Sequence, residues 1–410
     1  MKHERFIWRI LAIEIYIPSV LLAVSRGIII TALPIYLLIH GYPYTMVSMV
    51  ISSVNIGALA IDFLAGFLLY ILGFRRLNTL AITLILLSIF GILILNENYH
   101  LLLVLLAFFG VGRSLWSMSR KYFISAHIPY EFRGRASSFI GASERIGLFV
   151  GPLIVSIVLA LADVFHALII STIIALLVLL LDLLPRKELE NSRSSTNHIE
   201  KYDPIDPQYR SIIEEISSLL GFRFIMLYTA LFMIQGIRSV RQLMLPSIGL
   251  DLVGLESSLV SLVIGVAGAF DVLMAYPAGY IMDRKGRIYA VSTSFTIISL
   301  SYIILSLSRS PAEFIFGALI LGVGNGLGAG SMITMGTDIY NIIRREKQAV
   351  IFLTLWQLIG DLGTVIMPIL IGFIASSQGL VIACLISSIL SIVSVVLMNL
   401  FGRDISSLPN

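Results

Sequence analysis

Twelve apolar stretches, near 10–39, 45–72, 77–96, 101–126, 137–162, 164–184, 223–250, 257–282, 288–308, 312–339, 349–376 and 379–401, take up most of this 410-residue sequence. Each is long enough to cross the hydrocarbon core of a bilayer, about 30 Å thick, as a helix. In that solvent the backbone must satisfy its own N–H and C=O groups, which a helix does within one segment. The expected fold class is therefore an all-α membrane protein of 12 transmembrane helices. With 58% hydrophobic and 13% charged residues, the chain falls outside the soluble range.

The basic residues give the orientation. Of 28 Lys and Arg, 22 fall in segments that alternation of the spans puts on one face, Arg309 alone falls in a loop of the other face, and five lie within spans. Lys and Arg concentrate in short cytoplasmic loops, so both termini are expected in the cytoplasm. The net charge of +4 then serves topology, and no nucleic-acid partner is expected. The single cysteine, Cys384, lies inside a span, which rules out an intramolecular disulfide and a thiol metal cluster. No metal or cofactor is expected. The residues before the first span show no cleavable signal, and the expected setting is the cell membrane, with the chain a monomer in the lipid bilayer.

One long polar stretch interrupts the spans. Residues 185–222, with NSRSSTNH and DPIDP, read as a cytoplasmic linker in which 208–220 has the pattern of a short surface helix. It separates two six-span bundles, 1–184 and 223–410, and these repeat. A shift of 212 places Arg26 on Arg238, Pro34 on Pro246, and Gly110 and Gly112 on Gly322 and Gly324; a shift of 213 places Gly41 on Gly254, Gly66 on Gly279 and Gly73 on Gly286.

The turn PAGYIMDRKGR, 277–287, packs four charges between two spans. Gly279 lets a neighbouring helix approach, and Gly286 permits the positive φ of a sharp reversal. Asp283 and the basic residues are left to pair with one another or with helix ends. The run Gly279, Asp283, Arg284, Gly286, Arg287 resembles the signature loop of the major facilitator superfamily, with Ile281 in place of Leu. Parallel six-span repeats are also that family's plan, in which one half rocks against the other around a central site. The resemblance implies two pseudo-symmetric six-helix bundles and a secondary transporter. In the first half the loop is eroded, with Tyr70 and Ile71 where Asp and Arg would stand, so a lock on one conformation is expected to rest mainly on Asp283. Gly147, Gly151 and Pro152 of the fifth span resemble the antiporter motif of drug/proton exchangers, although Val155 and Ser156 replace its trailing glycines. Both sets are read as conformational gates, with a kink needed only for packing as the alternative for the second.

Nine ionisable residues lie deep within spans: Arg26, Asp62, Arg113, Glu144, Arg145, Arg238, Arg241, Asp271 and Asp361. At about 2.5–3.5 kcal/mol each at mid-bilayer, they would cost on the order of 25 kcal/mol facing lipid. They are expected to face a wet cavity or one another. Arg26 and Arg238 each lie eight residues from a proline near the outer end, roughly 12 Å deep at 1.5 Å per residue. Family resemblance puts their spans beside the cavity, and the pair looks like the arginines that grip the anionic group in organophosphate/phosphate antiporters. Gln235, Arg238, Arg241 and Gln242 can share a helical face. Two guanidiniums a turn apart repel unless an anion or carboxylate sits between them, so the spacing points either to an anion site or to permanent pairing with Asp271. Arg113 is the expected partner of Glu144. Trp356, Gln357, Asp361 and Thr364 read as a second polar face. The expected substrate-binding set is Arg26, Arg113, Gln235, Arg238, Arg241, Gln242, Trp356 and Gln357; Asp62, Glu144, Asp271 and Asp361 are expected to carry protons. Asp182 is expected to reach the headgroups.

The function read from these features is a proton-coupled exporter of a small organic solute. An organic-anion or phosphate-ester carrier using Arg26 and Arg238, or a lipid flippase on the same scaffold, is the alternative. No Asp-Asp-x-x-Asp, His-Glu-x-x-His or Gly-x-Ser-x-Gly motif is present, so enzymatic chemistry is not expected.

Overall fold

A computed structural model of the protein describes residues 11–94, 98–128, 130–184, 219, 221–343 and 346–402. The expected linker and its surface helix lie largely outside them. Secondary structure among the described residues is helical throughout. A π-helical turn, Ala12–Tyr16, leads into α1, Ile17–Ile39. The stretch Tyr44–Ile94 is divided at Gly73, whose φ of 71° and ψ of 168° suit a residue without Cβ, into α2 (44–72) and α3 (74–94). Then follow α4 (Tyr99–His127), α5 (Tyr130–Leu161) and α6 (Val164–Leu183). The second half comprises α7 (Phe222–Ser247), which ends in the π-turn Ile248–Leu252, α8 (Ser257–Lys285), α9 (Arg287–Leu307), α10 (Pro311–Leu327), α11 (Ser331–Ile342), α12 (Glu346–Gln378) and α13 (Leu380–Gly402).

Eleven helical stretches among the described residues are long and apolar enough to cross a membrane. The twelfth span is α7, long enough but made polar by Gln235, Arg238, Arg241 and Gln242. The span expected at 312–339 is not one helix. It breaks between α10 and α11, where Gly330 takes a left-handed φ of 76°. Gly326, Gly328 and Gly330 fall within five residues, and each glycine weakens a helix by about 1 kcal/mol relative to alanine.

Helices α1–α6 pack among themselves, as do α7–α13, and the two groups meet mainly along α2 with α12 and α5 with α8. The sequence repeat reappears as geometry. Gly41 and Gly254 both have φ of 74°, and Gly73 and Gly286 have 71° and 91°. Gly110 lies against Val54 of α2 and Gly322 against Ala267 of α8, while Gly112 and Gly324 lie against Ile85 and Ile298. Residue 54 plus 213 is 267, and 85 plus 213 is 298, so one packing scheme is used twice.

The groups touch toward the end of the bundle away from the linker. There Thr45 Oγ1 donates to Ser376 Oγ (2.9 Å), Ser52 Oγ to the Val365 carbonyl (2.7 Å) and Asn55 Nδ2 to the Thr364 carbonyl (3.3 Å). Gly265 and Gly268 of α8 bring that helix onto Leu153 and Leu148 of α5. Toward the linker end, a Cβ built on Gly141 or Gly279 would meet open space. The close approach expected at Gly279 is therefore absent in this conformation, which is open on the linker side. Asp182 does not extend toward headgroups: it accepts from Asn78 Nδ2 and Thr79 Oγ1, each at 2.6 Å, and ties α6 to α3.

Candidate functional site

Between the two groups lies a cavity of about 250 Å³ with a largely polar lining. Arg26 of α1, Asp62 of α2, Arg113 of α4, Gln235, Arg238, Arg241 and Gln242 of α7, and Asp361 of α12 all line it. With Thr364 of α12, which lines it too, nine residues singled out in the sequence thus meet in one chamber. Arg26 and Arg238 arrive there because they hold equivalent places in the repeat, each two turns before a proline inside its helix. The four polar residues of α7 arrive together because helical spacing puts them on one face.

The four arginines differ in what holds them. Arg241 Nη1 pairs with Asp271 Oδ2 at 3.0 Å, and Arg145 Nη1 of α5 reaches Asp271 Oδ1 at 3.5 Å. Asn325 Nδ2 donates to the same carboxylate. Arg241 is thus paired with Asp271 in this conformation. Arg238 is held otherwise: its Nη2 donates at 2.5 Å to the Gly328 carbonyl at the break between α10 and α11, which also accepts from Ser331 Oγ at 2.7 Å, and its guanidinium lies 5.6 Å from the Phe295 ring centre. Arg26 and Arg113 make no ion pair or hydrogen bond among the described residues. The Nε atoms of Arg26, Arg113 and Arg238 are enclosed without an acceptor. A guanidinium presents five donors in a fixed fork, and leaving them unmade in a desolvated place is costly. The chamber therefore holds unspent hydrogen-bonding capacity of positive sign.

The acids fall into two classes. Asp62 accepts from Ser114 Oγ of its own half, and Asp361 lines the chamber from α12, about one turn from Gln357. Neither has a cation within ion-pair distance among the described residues, and the two stand on opposite groups near enough to feel each other's charge. Glu144 and Asp271 are engaged. Glu144 pairs not with Arg113 but with Arg120, Nη2 to Oε1 at 3.0 Å. Both arginines stand on α4, seven residues or about two turns apart, so the partner was set by the level along α4 at which α5 presents Glu144, which helical spacing within either segment does not give. Arg120 is itself buried, donates to Ser19 Oγ at 3.0 Å and lies over the Trp116 ring.

Trp356 does not line the chamber. It is buried against Phe352 and Tyr228, and its indole N–H donates to the Met332 carbonyl at 3.1 Å. Gln357 is exposed beside Asp361. Among the gate residues, Gly286 makes the reversal with φ of 91°. Arg287 Nε pairs with Asp338 Oδ2 of α11 at 2.7 Å, and Arg284 covers the Tyr280 ring. Asp283 is exposed, with no ion pair among the described residues, so the pairing at this turn runs through Arg287. Gly147 and Gly151 press α5 onto Ala23 and Gly27 of α1. Asn55, Ser239 and Asn325 also line the chamber and were not singled out. For Asn325 a signal existed, since the 212-residue shift that aligns Arg26 with Arg238 aligns Arg113 with Asn325.

The model of the Major Facilitator Superfamily matches residues 15–360. No curated protein is similar to the chain by sequence. Among solved structures, the nucleoside transporter NupG is 12% identical with a TM-score of 0.76, over 96% of this chain and 99% of that one. A POT family transporter in complex with 5-aminolevulinic acid is 14% identical with a TM-score of 0.76, over 97% of each chain. A D-xylose–proton symporter is 15% identical with a TM-score of 0.67, over 94% of this chain and 97% of that one. At these identities the likeness is one of fold.

Proposed function

The chain belongs to the major facilitator superfamily, and from that premise we propose that it is a secondary transporter whose solute is a small organic anion. The observation that carries the reading is the state of Arg26 and Arg113, two cavity-facing guanidiniums with no carboxylate or carbonyl among the described residues to receive them. An intramembrane charge is retained against a cost of several kcal/mol, and a carboxylate or phosphate entering the chamber supplies the missing acceptors in charge-assisted bonds. Arg238, standing opposite Arg26 in the repeat, completes the grip. Nucleosides, 5-aminolevulinic acid and D-xylose, named with the similar folds, are of the size such a chamber takes.

The two halves, 1–184 and 223–410, rock about the chamber while 185–222 connects them on the cytoplasmic side, where both termini also lie, in the cell membrane. Asp62 and Asp361 are the coupling acids. An anion placed near them disfavours their ionised forms, so solute and proton bind cooperatively and travel together. A second reading, proton-driven export by antiport, is favoured by Gly147, Gly151 and Pro152 and their likeness to the exchanger motif.

The deciding experiment uses purified protein in liposomes loaded with a pH-sensitive dye, offered organic anions, phosphate esters, neutral sugars and organic cations under imposed gradients. Anion-dependent proton entry, lost in Arg26→Gln and Arg113→Gln, is the expected result. Proton exit on addition of solute favours antiport. Transport confined to neutral or cationic solutes, or wild-type rates in Arg26→Gln, would sink the anion reading.

A further inference from the structure

A second cavity, of about 50 Å³, adjoins the arginine chamber and shares Arg241 and Gln242 with it. Apart from Thr31, its other walls are apolar. Ile30 of α1, Leu148 and Pro152 of α5, Leu245 of α7, Ile264 of α8 and Leu321 of α10 enclose it. It lies one helical turn farther from the linker end than the arginine layer, for Ile30 follows Arg26 by four residues and Gln242 follows Arg238 by four. Both halves contribute walls, just where Gly268 lets α8 approach Leu148 within contact distance. Its polar groups, Arg241, Gln242 and Thr31, are outnumbered by apolar side chains, and Arg241 is already paired with Asp271, so water, which needs two to four polar partners, is poorly held over most of the void. The void gains from an apolar group.

We propose that this void is a subsite for a short apolar substituent on the transported anion, so that the solute is an amphiphile with its charged group among Arg26, Arg113 and Arg238 and its apolar end between α5 and α8. The assignment rests on the anion reading and adds to it a substrate shape. At about 30 Å³ for each water-sized unit, the void accepts a chain of roughly two carbons. A solute entering from the open linker end advances apolar end first. The subsite also gives a reason for Pro152: its ring forms part of the wall and offers no N–H to be left unsatisfied.

The test is titration calorimetry on the full chain in nanodiscs with two probe series, inorganic phosphate through methyl, ethyl, propyl, butyl and hexyl phosphate, and formate through hexanoate. In the wild type, affinity should climb about fourfold per methylene over the first two or three carbons and then level or fall. Ile264→Phe, which fills the void, should flatten that climb and leave inorganic phosphate or formate within about twofold. Leu321→Ala, which enlarges it, should move the optimum to a longer chain, and serves if the phenylalanine variant does not fold. A flat series in the wild type with methyl phosphate or acetate still binding overturns the subsite alone, as does an unchanged climb in Ile264→Phe. Binding of neither series overturns the anion reading and the subsite with it.

Discussion

Arg145 of α5 and Asp271 of α8 lie 3.5 Å apart, Nη1 to Oδ1, and join the first six-helix group to the second beside the chamber. Asp271 is the more committed partner, since Arg241 and Asn325 hold its other oxygen and its side chain is 10% exposed against 29% for Arg145. Removing one member of a buried pair strands the other charge, at about 3–5 kcal/mol. A partly exposed member, which water can still solvate, costs less. Asp271→Asn should therefore lower the melting temperature in detergent markedly, because two arginines lose their counterion, while Arg145→Gln should leave it within a few degrees. Equal losses would mean that the inter-group pair, not the Arg241 pair, is what Asp271 supports.

Gly328 should control anion binding from outside the lining. A Cβ there would stand 2.2 Å from Arg238 Nη2 and 2.4 Å from Ser294 Oγ. Gly328→Ala is expected to push Arg238 off its carbonyl and weaken anion affinity tenfold or more, as read by calorimetry. Retained affinity would show that Arg238 has another stable seat.

Gly279 offers the opposite case. A methyl group there meets nothing within 4 Å, and alanine is favoured over glycine in a helix by about 1 kcal/mol. Gly279→Ala should be neutral or stabilising in this conformation. If the linker end closes by bringing a helix against α8 at this point, the same variant should slow turnover while leaving equilibrium binding unchanged. Wild-type turnover would place the closing contact elsewhere.

Asp62→Asn and Asp361→Asn should separate solute movement from proton movement. Uptake driven by a pH gradient is expected to fall at least tenfold, and solute exchange at equal pH on both sides to persist. Loss of both activities would assign these acids to solute binding instead of coupling.

In the loop before α6, Asp163 caps the helix, accepting from the His166 backbone N–H at 3.2 Å and contacting His166 Nδ1 at 2.7 Å. The hydrogen bonds from His166 hold its carboxyl below the usual carboxylate range. A group depressed in the folded state contributes stability above its unfolded pKa, near 3.9, and loses that contribution as pH falls through the folded value. Asp163→Ala should therefore lower stability by about 1 kcal/mol at neutral pH, and the difference from wild type should shrink below about pH 4. A gap that persists in acid would point to lost packing instead of a lost cap.

Much of this architecture was legible before any coordinates. Span length follows from bilayer thickness. The reversal at Gly286 follows from its residue type, and the equivalence of Gly41 with Gly254, of Gly73 with Gly286 and of Arg26 with Arg238 follows from the repeat. Local chemistry and helical period suffice for these, because each depends on residues close in sequence or on an internal copy of the same pattern. Partnerships did not follow. That Glu144 takes Arg120, that Trp356 turns into the core, that Arg238 reaches a carbonyl at the Gly328–Gly330 break, and that Arg26 and Arg113 make no ion pair among the described residues were decided by which helix lies against which and at what level along their axes. A helical period says which side chains share a face, but Gly147 and Gly151 carry α5 onto α1 by close packing, and only the placement of whole helices determines which charges meet and which stay unpaired.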